Sequence, residues 1–116
     1  MKVIIAGSRT IKKCNIDSIV KQSGFSITTL ICGMAKGVDK LGYDWAKNLG
    51  IEIDMYPADW HEYGKKAGAI RNKKMAEVAE ALIAVWDSES KGTKMMIDMM
   101  RKLDKPVYIT KASLEY

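Results

Sequence analysis

The sequence has few of the residues on which metal and nucleophilic chemistry usually depend. It contains two cysteines, Cys14 and Cys32, and one histidine, His61. Two cysteines are too few for a disulfide scaffold or a zinc site, and Cys32 ends an apolar run typical of a core strand. A histidine-based metal site or a Ser-His-Asp triad would rest on His61 alone. We therefore expect no bound metal, no resident cofactor and no catalytic triad.

Long apolar stretches are also absent. None approaches the ~18 residues that a membrane-spanning helix needs, and the first residues, MKVIIAG, lack the pattern of a signal peptide. These features predict a cytoplasmic protein with no membrane partner. A hydrophobic content of 47% with 28% charged residues argues against disorder. The length is suited to a single domain spanning residues 1–116.

Acidic residues are fewer than basic ones. Fourteen Asp and Glu residues face nineteen Lys and Arg residues, which gives a net charge of +5 and a pI near 9.2. This balance favours an anionic partner. A solvated lysine-rich surface gives the same sum, so charge alone leaves both interpretations open.

Five short apolar runs alternate with four segments of helical periodicity. Strands are predicted at residues 2–6, 27–32, 51–56, 81–86 and 106–110. Helices are predicted at about residues 15–22, 38–49, 67–79 and 92–103, with Asn15 capping the first and Gly24 ending it. Residues 57–66 are predicted to form an irregular loop, and residues 111–116 a frayed tail.

Two of these helices have a defined apolar face. The second is predicted to turn inward Val38, Leu41, Trp45, Ala46 and Leu49. The third is predicted to turn inward Ile70, Met75, Val78 and Ala79. Both patterns indicate helices that cover a sheet.

The alternation of strands and helices is typical of a parallel sheet, because parallel strands need crossover connections. The first, second and fourth runs are the most uniformly apolar, as central strands are. The sequence therefore predicts an α/β, Rossmann-like three-layer sandwich with a five-stranded parallel sheet of order 3-2-1-4-5 and helices on both faces. This order places the topological switch, where such sheets bind ligands, between the first and fourth strands.

The turns that follow the strands have the composition of a phosphate-binding site. Gly7, Ser8 and Arg9 follow the first strand, where glycine permits a sharp turn and arginine can fork onto a phosphate. After the second and fourth strands, the candidates are Gly33, Lys36, Gly37 and Asp39, then Asp87, Ser90, Gly92 and Thr93. Simple capped turns remain the alternative, and for Asp39 helix capping competes with holding a ribose hydroxyl.

Residues 59–72 are the most distinctive segment. They combine aromatic rings, cations and glycines, and we expect them to overhang the same crevice. Trp60 or Tyr63 is a candidate to stack on a base beside Asp59, and Arg71 and Asn72 to contact its sugar or phosphate. An aromatic side chain that only seals the core is the alternative.

The fourth helix has an unusually wide apolar arc. Its apolar residues cover roughly 200° of the helix, more than one sheet face requires, and comprise Met95, Met96, Ile97, Met99, Met100 and Leu103. A methionine-rich core is one interpretation. The other, which we favour, is a homo-oligomer that pairs through this helix.

These segments resemble the SLOG superfamily and, within it, the small YspA-like proteins. The resemblance covers nearly the whole chain, in the segments GSRT, GMAKGVD, LGYDWAKNLGI, PADWHEYGKKAG, IRNKKM and WDSESKGT. It implies a Rossmann-like fold that binds nucleotides or nucleotide-derived ligands. Members include cytokinin-activating phosphoribohydrolases, DNA-processing protein A, and defence-system sensor domains that recognise NAD-derived cyclic nucleotides.

The chain departs from the phosphoribohydrolase motif PGGxGTxxE. Its two leading glycines correspond to Glu89 and Ser90, and its catalytic glutamate corresponds to Met96. The resemblance also implies a second glycine after the second strand, where this chain has Met34. Without the glutamate, an arginine can hold a phosphate but lacks the carboxylate for acid–base work.

The function predicted from the sequence is therefore binding of a nucleotide or nucleotide-derived ligand, ADP-ribose-like or cyclic, by a sensor or sequestering protein. A nucleotide N-glycosidase that uses Asp87, Glu89 or Asp59 is the first alternative. The second is a single-stranded nucleic-acid binder with Trp60 as its stacking platform and a cationic surface of Lys65, Lys66, Arg71, Lys73 and Lys74.

Overall fold

A computed structural model describes residues 1–111, which form one five-stranded parallel sheet of order β3-β2-β1-β4-β5. The strands are β1 (Lys2–Gly7), β2 (Thr29–Cys32), β3 (Glu52–Met55), β4 (Ala81–Val85) and β5 (Val107–Thr110). The helices are α1 (Ile16–Ser23), α2 (Val38–Asn48), α3 (Trp60–Tyr63), α4 (Ala67–Val78) and α5 (Lys91–Lys102). The predicted Rossmann-like α/β fold and its strand order are confirmed, and each predicted strand and helix bound lies within two residues of the observed one.

Two apolar layers hold the sheet between the helices. Side chains alternate across a strand, so Val3 and Ile5 pack with α1 and α2, whereas Ile4 packs with α4 and α5 on the other face. All residues of β2 and β4 are buried, while the edge strands β3 and β5 are partly exposed. Cys32 is buried in the first layer, as expected of a core residue.

Local capping fixes where α1 begins and ends. Asn15 Oδ1 accepts a hydrogen bond of 3.0 Å from Ser18 N, which satisfies one free N–H of the first turn. Gly24 ends the helix in the left-handed region with φ of 75°. Both predicted signals act as the sequence indicates.

The prediction for residues 57–66 is wrong, because most of this segment is helical. Asp59 Oδ1 accepts a hydrogen bond of 3.0 Å from Glu62 N and so caps α3, and a 3-10 turn over Gly64–Lys66 joins α3 to α4. Two predicted inward residues are also exposed, Leu49 by 57% and Val78 by 40%. Both lie at the end of a helix, where periodicity no longer guarantees that the sheet runs alongside.

The wide apolar arc of α5 covers two neighbours. Met96, Ile97 and Met100 are buried against the sheet, while Met95 and Met99 are half-buried. On the α4 side, Asn72 Nδ2 lies 3.8 Å from Met95 Sδ. Contact with both the sheet and α4 accounts for much of the arc without a second copy of the chain.

Among residues 1–111, no helix has the length and apolar character needed to cross a membrane. The predicted frayed tail falls almost entirely outside the described residues.

Candidate functional site

A cavity of about 300 Å³, here called the primary cavity, opens at the carboxyl ends of β1 and β4. Eight of the residues singled out in the sequence line it: Gly7, Arg9, Asp39, Arg71, Asn72, Ser90, Gly92 and Thr93. Four further lining residues were not anticipated: Ala6, Ala35, Met75 and Met96. Buried apolar residues carry no local signal of a site, although the resemblance had assigned Met96 to the position of a catalytic glutamate.

The turn after β1 is packed tightly against the end of β4. A Cβ at Gly7 would collide with Val85 O and lie 2.7 Å from Val38 Cγ2, so only glycine fits. Ser8 is buried; its N–H donates to Val85 O at 3.2 Å, and its Oγ accepts from Asp87 N at 3.2 Å. Ser8 therefore ties the two turns together behind the cavity and does not line it.

The loop between β2 and α2 packs against the turn after β1. Gly37 has φ of 76°, and a Cβ there would collide with Ser8 O and lie 2.7 Å from Arg9 Cα. Val38 N also donates to Ser8 O at 3.4 Å. Gly37 thus brings α2 close enough for Asp39 to reach the cavity. Lys36 does not take part, because it lines a separate surface recess with Met34.

The amino end of α5 forms the opposite wall. Ser90 caps the helix, since its Oγ accepts from Thr93 N at 3.4 Å, and a Cβ at Gly92 would meet nothing within 4 Å. The wall at Gly92 is therefore open to a ligand. The first N–H groups of a helix and its dipole favour an anion at this point.

Asp87 holds this turn from outside the cavity. Its Oδ1 accepts from Glu89 N at 2.8 Å and from Ser90 N at 2.7 Å. These N–H groups lower the pKa of Asp87 below its usual range. The exposed carboxylate is thus a turn-stabilising group, and Asp87 and Glu89 do not line the cavity.

Asp39 is the buried carboxylate of the site. Its Oδ2 accepts from Ala35 N at 3.2 Å, while the amino end of α2 is capped by Gly37 without any side-chain bond. Helix capping, one of the two sequence interpretations, is therefore wrong. Burial raises the pKa of Asp39 to about 6, against the lowering effects of the Ala35 N–H, Arg71 and Arg9.

Arg71 is fixed in position by two acceptors. Its Nη1 donates to Gly33 O, and its Nε donates to Asn72 Oδ1 at 2.8 Å. A Cβ at Gly33 would lie 2.8 Å from Asp39 Oδ2 and 3.1 Å from Arg71 Nη1, so the missing side chain lets both groups approach. Gly33 supports the site in this way without lining the primary cavity.

The charges of the site are arranged without direct ion pairs. Within the part of the chain that the structure describes, the ion pairs closer than 4 Å are three exposed pairs on helix surfaces, such as Lys94 with Asp98. Burial lowers the pKa of Arg71, and the neighbouring Asp39 offsets part of this effect. The arginines and Asp39 therefore retain capacity for a ligand.

The two cysteines are not activated nucleophiles. Cys14 and Cys32 are both free, and burial raises the pKa of Cys32 to about 11. Burial also raises the pKa of Cys14. Both thiols are therefore protonated at neutral pH, and neither lines the primary cavity.

The α3 part of the segment 59–72 does not overhang the primary cavity, so the expectation is wrong there, although Arg71 and Asn72 of the same segment line the cavity. Asp59 and Tyr63 line a second cavity of about 240 Å³ on the β3 side, which shares Arg71 with the first. Trp60 is 53% exposed and lines neither; its ring lies 3.5 Å from where a Cβ of Gly68 would be. Asp59 caps α3, a helix that the sequence pattern did not predict. Trp60 and Tyr63 lie on this helix, outside the lining of the primary cavity.

Comparison with known proteins identifies the family. The model of the family described as YspA, cpYpsA-related SLOG (YAcAr) matches residues 1–63, which include the β1 turn and the β2–α2 loop. The Gene 61 protein of Mycobacterium phage D29 is 29% identical over 116 aligned residues, covering 91% of this chain and 93% of that protein. No solved structure matches the chain. Since the family model spans more than half of the chain, the protein belongs to the YspA, cpYpsA-related SLOG family.

Proposed function

We propose that the protein binds a phosphorylated, nucleotide-derived ligand in the primary cavity and acts as a cytoplasmic sensor or sequestering protein. The observation that carries this proposal is the convergence of Arg9, Arg71, the amino end of α5 and the buried Asp39 on one cavity. Cations and helix N-termini bind phosphate, and a buried carboxylate with a free oxygen accepts hydroxyl protons. Membership of the SLOG family fits a nucleotide-related function.

The walls suggest how such a ligand would lie. Its phosphate would face Gly92 and Arg9, where the helix terminus and an exposed cation line the same cavity. Its ribose would offer a hydroxyl to Asp39, and Met75 and Met96 would form an apolar floor. A volume of about 300 Å³ lies at the low end of the range of roughly 300–1,000 Å³ for small-molecule pockets, which fits one nucleotide unit.

Removal of the two arginines tests this proposal. We expect Arg9→Ala and Arg71→Ala each to weaken AMP binding by roughly 1.5–3 kcal/mol, the value of a hydrogen bond to a charged group, as measured by calorimetry. Arg9 is exposed, so its loss should leave the unliganded melting temperature unchanged. Arg71→Ala should lower it, because Gly33 O and Asn72 lose their donor.

Arg101→Ala, an exposed arginine near the end of α5, is the matched control and should bind AMP normally. Normal AMP binding by Arg9→Ala would contradict the proposed phosphate position. Mass spectrometry of a copurifying small molecule would identify the natural ligand. Tighter binding of a single-stranded oligonucleotide than of AMP would instead favour the nucleic-acid alternative, whose lysines on and beside α4 are all exposed.

A nucleotide N-glycosidase is the second candidate, and one observation favours it. Asp59 is engaged as a helix cap and Asp87 in stabilising a turn, but Asp39 lines the cavity with its pKa raised to about 6. A carboxyl group with such a pKa can act as a general acid or base near neutral pH. Release of ribose 5-phosphate from AMP that disappears in Asp39→Asn, with AMP still bound, would establish this activity. A lack of turnover leaves the binding function.

A further inference from the structure

The second cavity lies directly beside the first. It is here called the aromatic cleft, and the lining residues that matter to the argument are Tyr56, Pro57, Tyr63, Ile70, Arg71 and Lys74. Its volume of about 240 Å³ is similar to that of the primary cavity. The cleft is thus large enough to hold a group of about the size that the primary cavity holds.

Arg71 belongs to the linings of both cavities. Its guanidinium is held in this shared position by donating to Gly33 O and Asn72 Oδ1. The primary cavity and the aromatic cleft are therefore neighbours separated by one fixed cation. Lys74, one helical turn further along α4, adds a second cation on the cleft side.

The chemistry of the cleft differs from that of the primary cavity. Tyr56, Tyr63 and the apolar Ile70 line the cleft; Tyr56 packs in part against the core, whereas Tyr63 is 38% exposed. The single carboxylate in the lining, Asp59, already accepts from Glu62 N through Oδ1. The cleft therefore suits an aromatic ring that is joined to an anionic group, not a second free phosphate.

We propose that the aromatic cleft is a second subsite for a ligand made of two nucleoside halves joined by a pyrophosphate. One half occupies the primary cavity with its phosphate at Gly92 and Arg9, the second phosphate lies over Arg71 and Lys74, and the ring of the other half stacks on Tyr63. Pyrophosphate oxygens suit this pair of cations, and bases stack on exposed aromatic side chains. This inference rests on the proposed function of the primary cavity.

Two probes separate the subsites: AMP, which fills one cavity, and NAD, which has two rings joined by a pyrophosphate. We expect the wild-type protein to bind NAD at least tenfold more tightly than AMP in calorimetric titrations. Tyr63→Ala should weaken NAD binding by about fivefold or more, the lower range for loss of a stacking partner, and leave AMP binding unchanged. Trp60→Ala is the matched control, since this ring lies on the same helix and lines neither cavity.

Lys74→Gln is a second variant that should weaken NAD binding but not AMP binding. The salt dependence of NAD binding should also fall in this variant. If AMP binds but NAD binds no more tightly, the subsite is refuted while the proposed function stands. If Tyr63→Ala weakens the binding of AMP and NAD equally, the subsite is also refuted and the proposed function stands. If neither AMP nor NAD binds, the proposed function fails and the subsite fails with it.

Discussion

The primary cavity and the aromatic cleft share Arg71 but are constructed differently. The turns behind the primary cavity are fixed by backbone packing: Gly7 and Gly37 have no room for a Cβ, and Ser8 links the turns after β1 and β4. The cleft is walled by side chains, of which Met55 and Tyr63 are exposed. One region is fixed by the packing of the fold, whereas the other is added to its surface.

The two regions therefore contribute to different properties of the protein. Changes in the tightly packed turns behind the cavity, unlike loss of the exposed Arg9 side chain, affect the free energy of unfolding as well as ligand binding, because these turns cross-link the central strands. Changes to the exposed side chains of the cleft affect binding alone, since exposed substitutions usually change stability little.

The largest effect is expected for Gly37→Ala. The residue has φ of 76° and its Cβ would collide with Ser8 O, so the variant suffers both backbone strain and overlap. We expect a loss of roughly 2–5 kcal/mol in the free energy of unfolding, measured by urea denaturation.

Gly50→Ala is the matched control, because Gly50 has φ of 69° but open space around the Cβ position. It should lower the free energy of unfolding only by the strain of the left-handed backbone conformation, roughly 1–2 kcal/mol. Equal losses in the two variants would show that the β2–α2 loop is not wedged against the β1 turn, and the contrast between cavity and cleft would break down.

The stability of the protein should depend on pH through the primary cavity, because Asp39 is the buried titratable carboxylate there. Its folded-state pKa of about 6 lies above the ordinary 3.8, so the folded protein binds the proton more tightly. The stabilisation is complete below about pH 4 and is lost as the pH rises through 6. At 1.36 kcal/mol per pK unit, the loss amounts to roughly 3 kcal/mol.

The difference in unfolding free energy between the wild type and Asp39→Asn, followed by denaturation from pH 4 to 7.5, isolates this contribution. The wild type should lose stability relative to the variant across that range. Parallel curves would mean that Asp39 is solvated and ionised in the folded protein.

The smallest effect on stability is expected at the outer face of α5, whose amino end walls the cavity. We propose that the protein self-associates through this face, where half-buried Met95 and Met99 line a surface groove. Light scattering at micromolar concentration should report a dimer or larger species, and Met99→Lys should shift it toward the monomer. A monomeric wild type would mean that α4 and the sheet fully account for the apolar arc.

Local patterns predicted the fold well because they act over short distances along the chain. The runs of β1, β2 and β4 are almost wholly apolar and buried. Such strands belong at the centre of a parallel sheet and not at its exposed edges. Asn15 and Gly24 marked the ends of α1 by chemistry within a single turn. The same logic placed the turns of Gly7 and Gly92 at one end of the sheet, since parallel strands all end there.

Sequence patterns were enough to predict the five-stranded sheet, its strand order and the group of turns that meet at the switch point. Which side chains share a cavity is visible only in the folded chain, because it depends on contacts between residues that are distant in the sequence. Arg71 donates to Gly33 O across 38 residues, and Asp39 has its raised pKa because the folded chain removes it from water. Tertiary packing likewise put Tyr63 in the neighbouring cleft and left Trp60 outside both cavities.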